Sequence, residues 1–376
     1  MRVYLDHNAR APLHPAAREA MTGALEVMGN PSSIHAEGQR ARALLEDARA
    51  AVATCLGARS KDVVFTSGAT EALHLALHGA LVAQPSRRAV VVGATEHHAV
   101  LEEAGALARR GACELRVVPV DAAGRLRDDA WRGAVRDDVA VALVMAANNE
   151  TGVLTDVAPL CAHARGVGAL VVVDAAQRWG KAPLVVGELG ADAVAVSACK
   201  IGGPPGAGAL WLSDATRGRW TAPHAGGAQE RGRRPGTENL VGAVGMGAAA
   251  RAMDLARLPH VTALRATLED GLRRLCPDVV IHGAAAARLG NTVFAGFPGV
   301  DAETLLMLLD QEGVAASSGS ACVSGATTPS HVLAAMGVSK ALARSSVRFS
   351  LGITTSADEV AYALATLSTV LPRARV

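Results

Sequence analysis

A lysine and an aspartate, each placed where an apolar run gives out, carry the most legible chemistry in this chain. Lys200 stands in Ser197-Ala198-Cys199-Lys200-Ile201-Gly202-Gly203-Pro204-Pro205-Gly206, after an apolar run at 193–196 and before another at 207–212. A lysine where a buried strand opens into a Gly/Pro-rich loop is held on a firm scaffold yet can reach a pocket, which suits a Schiff base. Asp174 closes the run Ala169-Leu170-Val171-Val172-Val173, at the kind of strand end where parallel α/β sheets bind ligands. An amine for an aldehyde and an acid for a pyridine nitrogen are the pairing that pyridoxal 5'-phosphate (PLP) needs.

Other strand exits supply further polar groups. The apolar segment 62–66 runs into Ser67-Gly68-Ala69-Thr70-Glu71 and a helix to residue 81. Strand, glycine turn and helix start together expose backbone N–H groups and a positive dipole end, an anion site, although the same residues also make an ordinary helix cap. Strand 89–93 leads to Thr95-Glu96-His97-His98, where a histidine ring can stack on a flat cofactor and exchange protons near neutral pH, or simply be a satisfied polar group. The buried run 139–145 exits into Asn148 and Asn149, amides suited to bonding a ring substituent.

These runs alternate with helical stretches at 100–110 and 160–165, and 115–120 reads as one more strand, which predicts a mostly parallel sheet with helices on both faces. Ahead of them come an extended arm at 4–15 and helices at 16–28 and 36–56, the second with Leu44, Leu45, Ala48, Val52 and Leu56 on one stripe. After residue 212 the pattern changes. A glycine and arginine loop at 226–237 precedes a long helix over 238–258. A smaller α+β unit follows: a helix to 275, strand 291–295, helix 302–312, strand 314–317, the Cys322 loop, helix 331–336, strand 346–351 and a helix from 356.

Composition narrows the rest. The 376 residues are half hydrophobic and can bury a large core, and a net charge of +2 from interspersed residues offers no face for nucleic acid or membrane. No apolar run reaches the roughly 20 residues that span a bilayer, and residues 1–6 hold no signal-peptide core, so a cytoplasmic setting is expected. The six cysteines are scattered without a C-x-x-C pair, which argues for no disulfide framework and no metal site. Cys322 differs from the others: its neighbours are small and polar, they read as a mobile surface loop, and a thiol there needs a reason.

Nine motifs in order give the chain a resemblance to the PLP-dependent cysteine desulfurases, in particular to the iron-sulfur-cluster and nitrogen-fixation type. They are Tyr4-Leu5-Asp6-His7-Asn8-Ala9, Phe65 to Glu71, Thr95-Glu96-His97, Asn148-Asn149-Glu150, Val173 to Gln177, Lys200 to Gly206, Arg234-Pro235-Gly236-Thr237, Ser317 to Cys322 and Ser346 to Ser350. The resemblance implies a fold-type I PLP enzyme with a seven-stranded-type sheet, normally a homodimer. It implies a large PLP-binding domain over 16–258, and a small domain from 1–15 and 259–376 that carries the Cys322 loop. By the same resemblance Lys200 forms the Schiff base, Asp174 bonds the pyridine nitrogen, His97 stacks on the ring, and Asn149 and Gln177 bond its 3-hydroxyl side. Ala69, Thr70 and Ser197 hold the phosphate with Thr237 of the other subunit, and Arg348 grips the substrate carboxylate, for which a guanidinium fork is well shaped.

The implied reaction converts L-cysteine to L-alanine. Cys322, as thiolate, takes the sulfur as a persulfide and hands it to a protein acceptor such as an iron-sulfur scaffold or sulfur carrier. A free thiol is mostly protonated at neutral pH, so a local base or cation is needed, and His97 is the candidate. Two positions depart from the family: Cys199 stands where a histidine usually precedes the lysine, and Arg10-Ala11 where small hydroxyl residues are common. The alternatives are a selenocysteine lyase or another PLP enzyme of this fold, and, with Cys199 as its support, a catalytically weakened homologue serving as a sulfur-transfer partner.

Overall fold

The protein is described by a computed structural model covering residues 1–216, 218–319 and 330–375. Its strands are β1 (Val3–Tyr4), β2 (Val63–Thr66), β3 (Ala89–Gly93), β4 (Glu114–Val118), β5 (Val139–Met145), β6 (Leu170–Asp174), β7 (Ala193–Ser197), β8 (Gly208–Leu212), β9 (Val280–Ile281), β10 (Thr292–Gly296), β11 (Val314–Ala315) and β12 (Ser346–Ser350). Seven of them form one sheet in the order β2-β8-β7-β6-β5-β3-β4. Only β8 opposes its neighbours; the other six run one way and end on one edge. That shared edge brings the exits singled out in the sequence together.

The strands are apolar on both faces because both are covered. Val91, Val171, Val173, Val194 and Trp211 pack with Leu45, Val52 and Leu56 of the helix Ala36–Leu56. Their sequence neighbours Val90, Val92, Val172, Ala195 and Leu210 pack instead with Leu73, Leu77 and Val100 of the helices Ala69–Ala83 and His98–Arg109. Side chains alternate along a strand, so continuous valine runs mark a sheet with no wet face.

A second core lies under the antiparallel sheet β12-β10-β9 and under β1, which pairs in parallel with β11. Val3 and Leu5 from the chain start join it, packed with Leu268, Leu305 and Leu367 of the helices Leu258–Leu275, Ala302–Gln311 and Ala357–Val370. The single helix expected over 238–258 is two. Leu240–Arg251 ends, Asp254 caps a short turn by accepting from Ala256 N, and a new helix starts at Leu258-Pro259. Pro259 lacks an N–H and would clash with a preceding helical carbonyl, so it starts a helix but does not continue one. A short helix at Lys340–Arg344, capped by Ser339, was not foreseen.

The arm before the first helix clasps the lysine loop. Ala11 N donates to Cys199 O at 2.9 Å and His14 N to Gly202 O at 2.8 Å. Gly202 has φ +81°, and a Cβ there would sit 3.1 Å from the Pro12 carbonyl, so glycine alone fits this close approach.

Candidate active site

The carboxyl ends of β2, β3, β5, β6 and β7 surround a cavity of about 310 Å³. Ala69, Thr70, His97, Asn149, Asp174, Gln177, Ser197, Lys200 and Arg348 all line it, so nearly every residue marked in the sequence is brought together. Thr237 is exposed and outside this cavity. Cys322 lies outside the described residues; Gly319, before it, is on the cavity wall.

At one end the helix Ala69–Ala83 points its start at the cavity. Its N-cap, Gly68, gives no side-chain cap, which leaves the first-turn N–H groups to the cavity. Ser197 and Cys199 stand beside them, with Oγ and Sγ 3.3 Å apart. An uncapped helix start flanked by a hydroxyl fits the phosphate of PLP.

At the floor, buried Asp174 accepts from Ala176 N at 2.9 Å. Burial raises its carboxyl above the ordinary range, against that N–H and the nearby His97 and Lys200. A carboxylate kept from water on a cavity wall is stabilised by a cation arriving there, which is what a protonated pyridine nitrogen brings. The donor set thus fits PLP at its phosphate and at its ring nitrogen.

His97 caps the helix His98–Arg109: Nδ1 accepts from Ala99 N at 3.1 Å. Burial lowers its pKa, so the ring is neutral near pH 7, and with Nδ1 committed to the helix its proton sits on Nε2. In this tautomer Nε2 is the donor of a ring that lines the cavity. The sequence-based role as base for the Cys322 thiol would require a different tautomer or the loss of the cap.

Lys200 Nζ donates to the carbonyls of Asn8 at 2.9 Å and Ala9 at 2.7 Å. Arg348 is already paired: Nη2 donates to Asp6 Oδ1 at 2.6 Å and Nη1 to Asn149 O at 3.0 Å, while the buried Nε has no partner among the described residues. A substrate carboxylate reaching Arg348 therefore shares the guanidinium with Asp6.

Asn8, Lys181 and Asp6 were not assigned from sequence. Asn8 ties the two cores: Nδ2 donates to Asn149 O at 3.1 Å and Thr292 Oγ1 at 2.9 Å, and its N–H to Ser350 Oγ at 2.9 Å. It belongs to the motif at 4–9, and the signal that could have flagged it is the polar run Asp6-His7-Asn8 directly after the apolar Leu5. Glu96, also buried, accepts from Met145 N at 2.9 Å, and burial holds its carboxyl well above the usual range.

A mostly parallel sheet with a lysine, a buried acid and a helix start at its carboxyl edge defines a fold-type I PLP enzyme. The chain belongs to the aminotransferase class-V family, whose model matches residues 3–362, and to its cysteine desulfurase branch. It is 41% identical over 376 residues to a cysteine desulfurase of Cereibacter sphaeroides, covering 100% of this chain and 97% of the relative. It is 42% identical over 383 residues to an IscS-like cysteine desulfurase of Mycobacterium tuberculosis, covering 99% of this chain and 97% of that one. A solved NifS-like protein superposes with a TM-score of 0.91 at 32% identity, covering 99% of this chain and 100% of that one.

Proposed function

We propose that this chain releases L-alanine from L-cysteine and passes the sulfur through Cys322 to a protein acceptor. The observation that carries the reading is one cavity in which Lys200, Asp174 and Arg348 stand together under an uncapped helix start. PLP, when bound, supplies an aldehyde for the substrate amine and a ring that spreads negative charge. Ala69, Thr70 and Ser197 would hold its phosphate, Asp174 its ring nitrogen, and Asn149 and Gln177 its 3-oxygen side.

Arg348 binds the substrate carboxylate and so fixes the Cα–H toward Lys200, whose amine takes that proton and returns it. His97 donates from Nε2 near the reacting carbons. The Cys322 thiolate attacks the substrate sulfur; an S–S bond forms, the C–S bond breaks, and the carbon fragment leaves as alanine once protonated. Gly319 on the cavity wall, three positions before Cys322, supports its delivery to this site.

The reading includes a division into a large domain, 16–258, and a small one built from 1–15 and 259–376; Val3 and Leu5 in the second core support it. It also includes a homodimer, since an exposed Thr237 suits a residue delivered to a second copy's phosphate. Free thiols at the five described cysteines suit a reducing, cytoplasmic setting.

The test is to incubate the protein with PLP and L-cysteine, measure alanine and sulfide, and weigh the Cys322-containing peptide. One added sulfur on that peptide, with alanine lost in Cys322→Ser, is expected. Alanine formed at the parental rate by Cys322→Ser overturns the persulfide step, and no alanine from the parental protein overturns the whole reading.

A further inference from the structure

Behind the cofactor cavity lies a second one of about 150 Å³, and Lys200 and Lys181 line it together. Lys181 does nothing in the reaction above. Its Nζ donates to Asn8 Oδ1 at 2.8 Å and to Gln177 Oε1. Gln177 Nε2 in turn donates to Asn8 O at 2.9 Å, the same carbonyl that receives Lys200. Asn291 Nδ2 reaches Asn8 Oδ1 at 3.1 Å from the other side. The two lysines are thus joined through Asn8 and Gln177.

We propose that Lys181 is a positioning residue for the cofactor end of the site: its amine orients the Gln177 carboxamide and the Asn8 side chain, and through them the carbonyls that hold Lys200. This rests on the PLP reading above. An amide can present either its oxygen or its nitrogen to a cavity, and the amine donor at Oε1 leaves Gln177 one choice, with Nε2 turned to Asn8 and the ring side. At Asn8 the same donor commits Oδ1, so Nδ2 is the end that bonds Asn149 O and Thr292 Oγ1.

The charge state agrees with this role. No ion pair reaches Lys181 among the described residues; the charged groups facing it are Lys200 and Arg348, opposed by Asp6, and the titratable side chains Cys199 and His7 also stand near it. Burial first, then Lys200 and Arg348, hold its amine well below the ordinary lysine range, which favours the uncharged amine as the donor here. A permanent cation there would repel a protonated Schiff base at Lys200.

The test compares the PLP-loaded parental protein with Lys181→Met, Lys181→Gln and Lys181→Arg. Two readouts serve: the PLP dissociation constant of the stripped protein, and the pH midpoint of the bound cofactor's visible absorption band. Lys181→Met frees the Gln177 amide, so the ring 3-oxygen loses a donor and becomes more basic. The midpoint should rise by up to about one unit and PLP binding should weaken about tenfold. Lys181→Arg fixes a positive charge beside Lys200 and should lower the midpoint, while Lys181→Gln keeps a donor in reach of Gln177 and should stay nearest the parent. Loosened packing, which lets water in and lowers the melting temperature, would move the midpoint the same way in both variants and so does not give shifts of opposite sign. Variants that load PLP and titrate with the parental midpoint overturn the role of Lys181 and leave the cofactor reading intact. A parental protein that takes up no PLP sinks both.

Discussion

The two ends of the cofactor cavity use charge in opposite ways. The end proposed for the phosphate presents neutral groups, the first-turn N–H groups after Gly68, the Ser197 hydroxyl and the Cys199 thiol, and keeps its ions behind the wall. There Arg49 Nη1 and Nη2 donate to Glu230 at 2.5 and 2.8 Å, Nη1 also reaches Val63 O at 3.1 Å, and Nε reaches Glu46 at 3.1 Å. The end proposed for the substrate puts its arginine on the wall, paired with Asp6 and with Nε unpartnered among the described residues. An arginine with every nitrogen bonded braces a fold; one left incompletely bonded beside a cavity is available to a ligand.

What Arg49 braces is specific. Glu230 and Arg231 take φ of +49° and +60°, a left-handed stretch that costs non-glycine residues about 1–2 kcal/mol each. Glu230 also accepts from Phe65 N at 2.9 Å, and Arg234 reaches Glu71 at 2.7 Å, so the loop is stapled to β2 and to the helix start proposed to cradle the phosphate.

The largest effect is therefore expected from Arg49→Met. It leaves the buried Glu230 carboxylate without its ion partner, which typically costs about 3–5 kcal/mol. Urea unfolding should show a much lower midpoint, and Arg49→Met with Glu230→Gln should recover part of the loss. If Arg49→Met unfolds with the parent, the staple is not what holds the loop.

At the other end the expected loss is in turnover. Arg348→Lys keeps a cation beside Asp6 but gives up the planar fork, so kcat/KM for L-cysteine should fall about 100-fold, roughly 2.7 kcal/mol, with unfolding little changed. A variant that loses stability and keeps kcat/KM would make Arg348 a brace like Arg49 and erase the contrast.

How far sequence reached follows the same division. The sheet was legible because both faces of each strand are covered, and runs such as 139–145 and 170–174 are therefore apolar without a break. The wall residues were legible because strand exits carry Asp174, Lys200 and His97 among the first polar groups after those runs. Residues that act through another side chain left no such mark. Arg49 sits inside a helix that reads as amphipathic, and its partner lies far along the chain in a loop that reads as a solvated charge run. Lys181 and Asn8 meet only once the arm folds across the lysine loop. The break at 252–257 was missed because the apolar spacing continues through it, and Pro259 was the signal to weigh.

Cys199 sharpens the account of the neutral end. Where the family usually places a histidine, the thiol contacts Ser197 Oγ at 3.3 Å and offers a phosphate a weak donor. Cys199→His should tighten PLP retention by about 1–2 kcal/mol, the worth of one hydrogen bond to a charged group, measured as slower cofactor loss on dialysis. Equal retention would mean that Ser197 and the helix start already satisfy the phosphate.

The smallest effect concerns Asp6, and its sign separates two readings of the charged end. Asp6 holds Arg348 Nη2 at 2.6 Å, so an incoming carboxylate meets a guanidinium already shared with another carboxylate. Asp6→Asn keeps an oxygen acceptor at that place and removes the competing charge. If Asp6 competes with substrate, KM for L-cysteine should fall a few-fold, somewhat under about 1 kcal/mol, while kcat holds. If Asp6 instead orients the fork, KM should rise with the same substitution, and the substrate end would then be braced by an ion pair much as the phosphate end is.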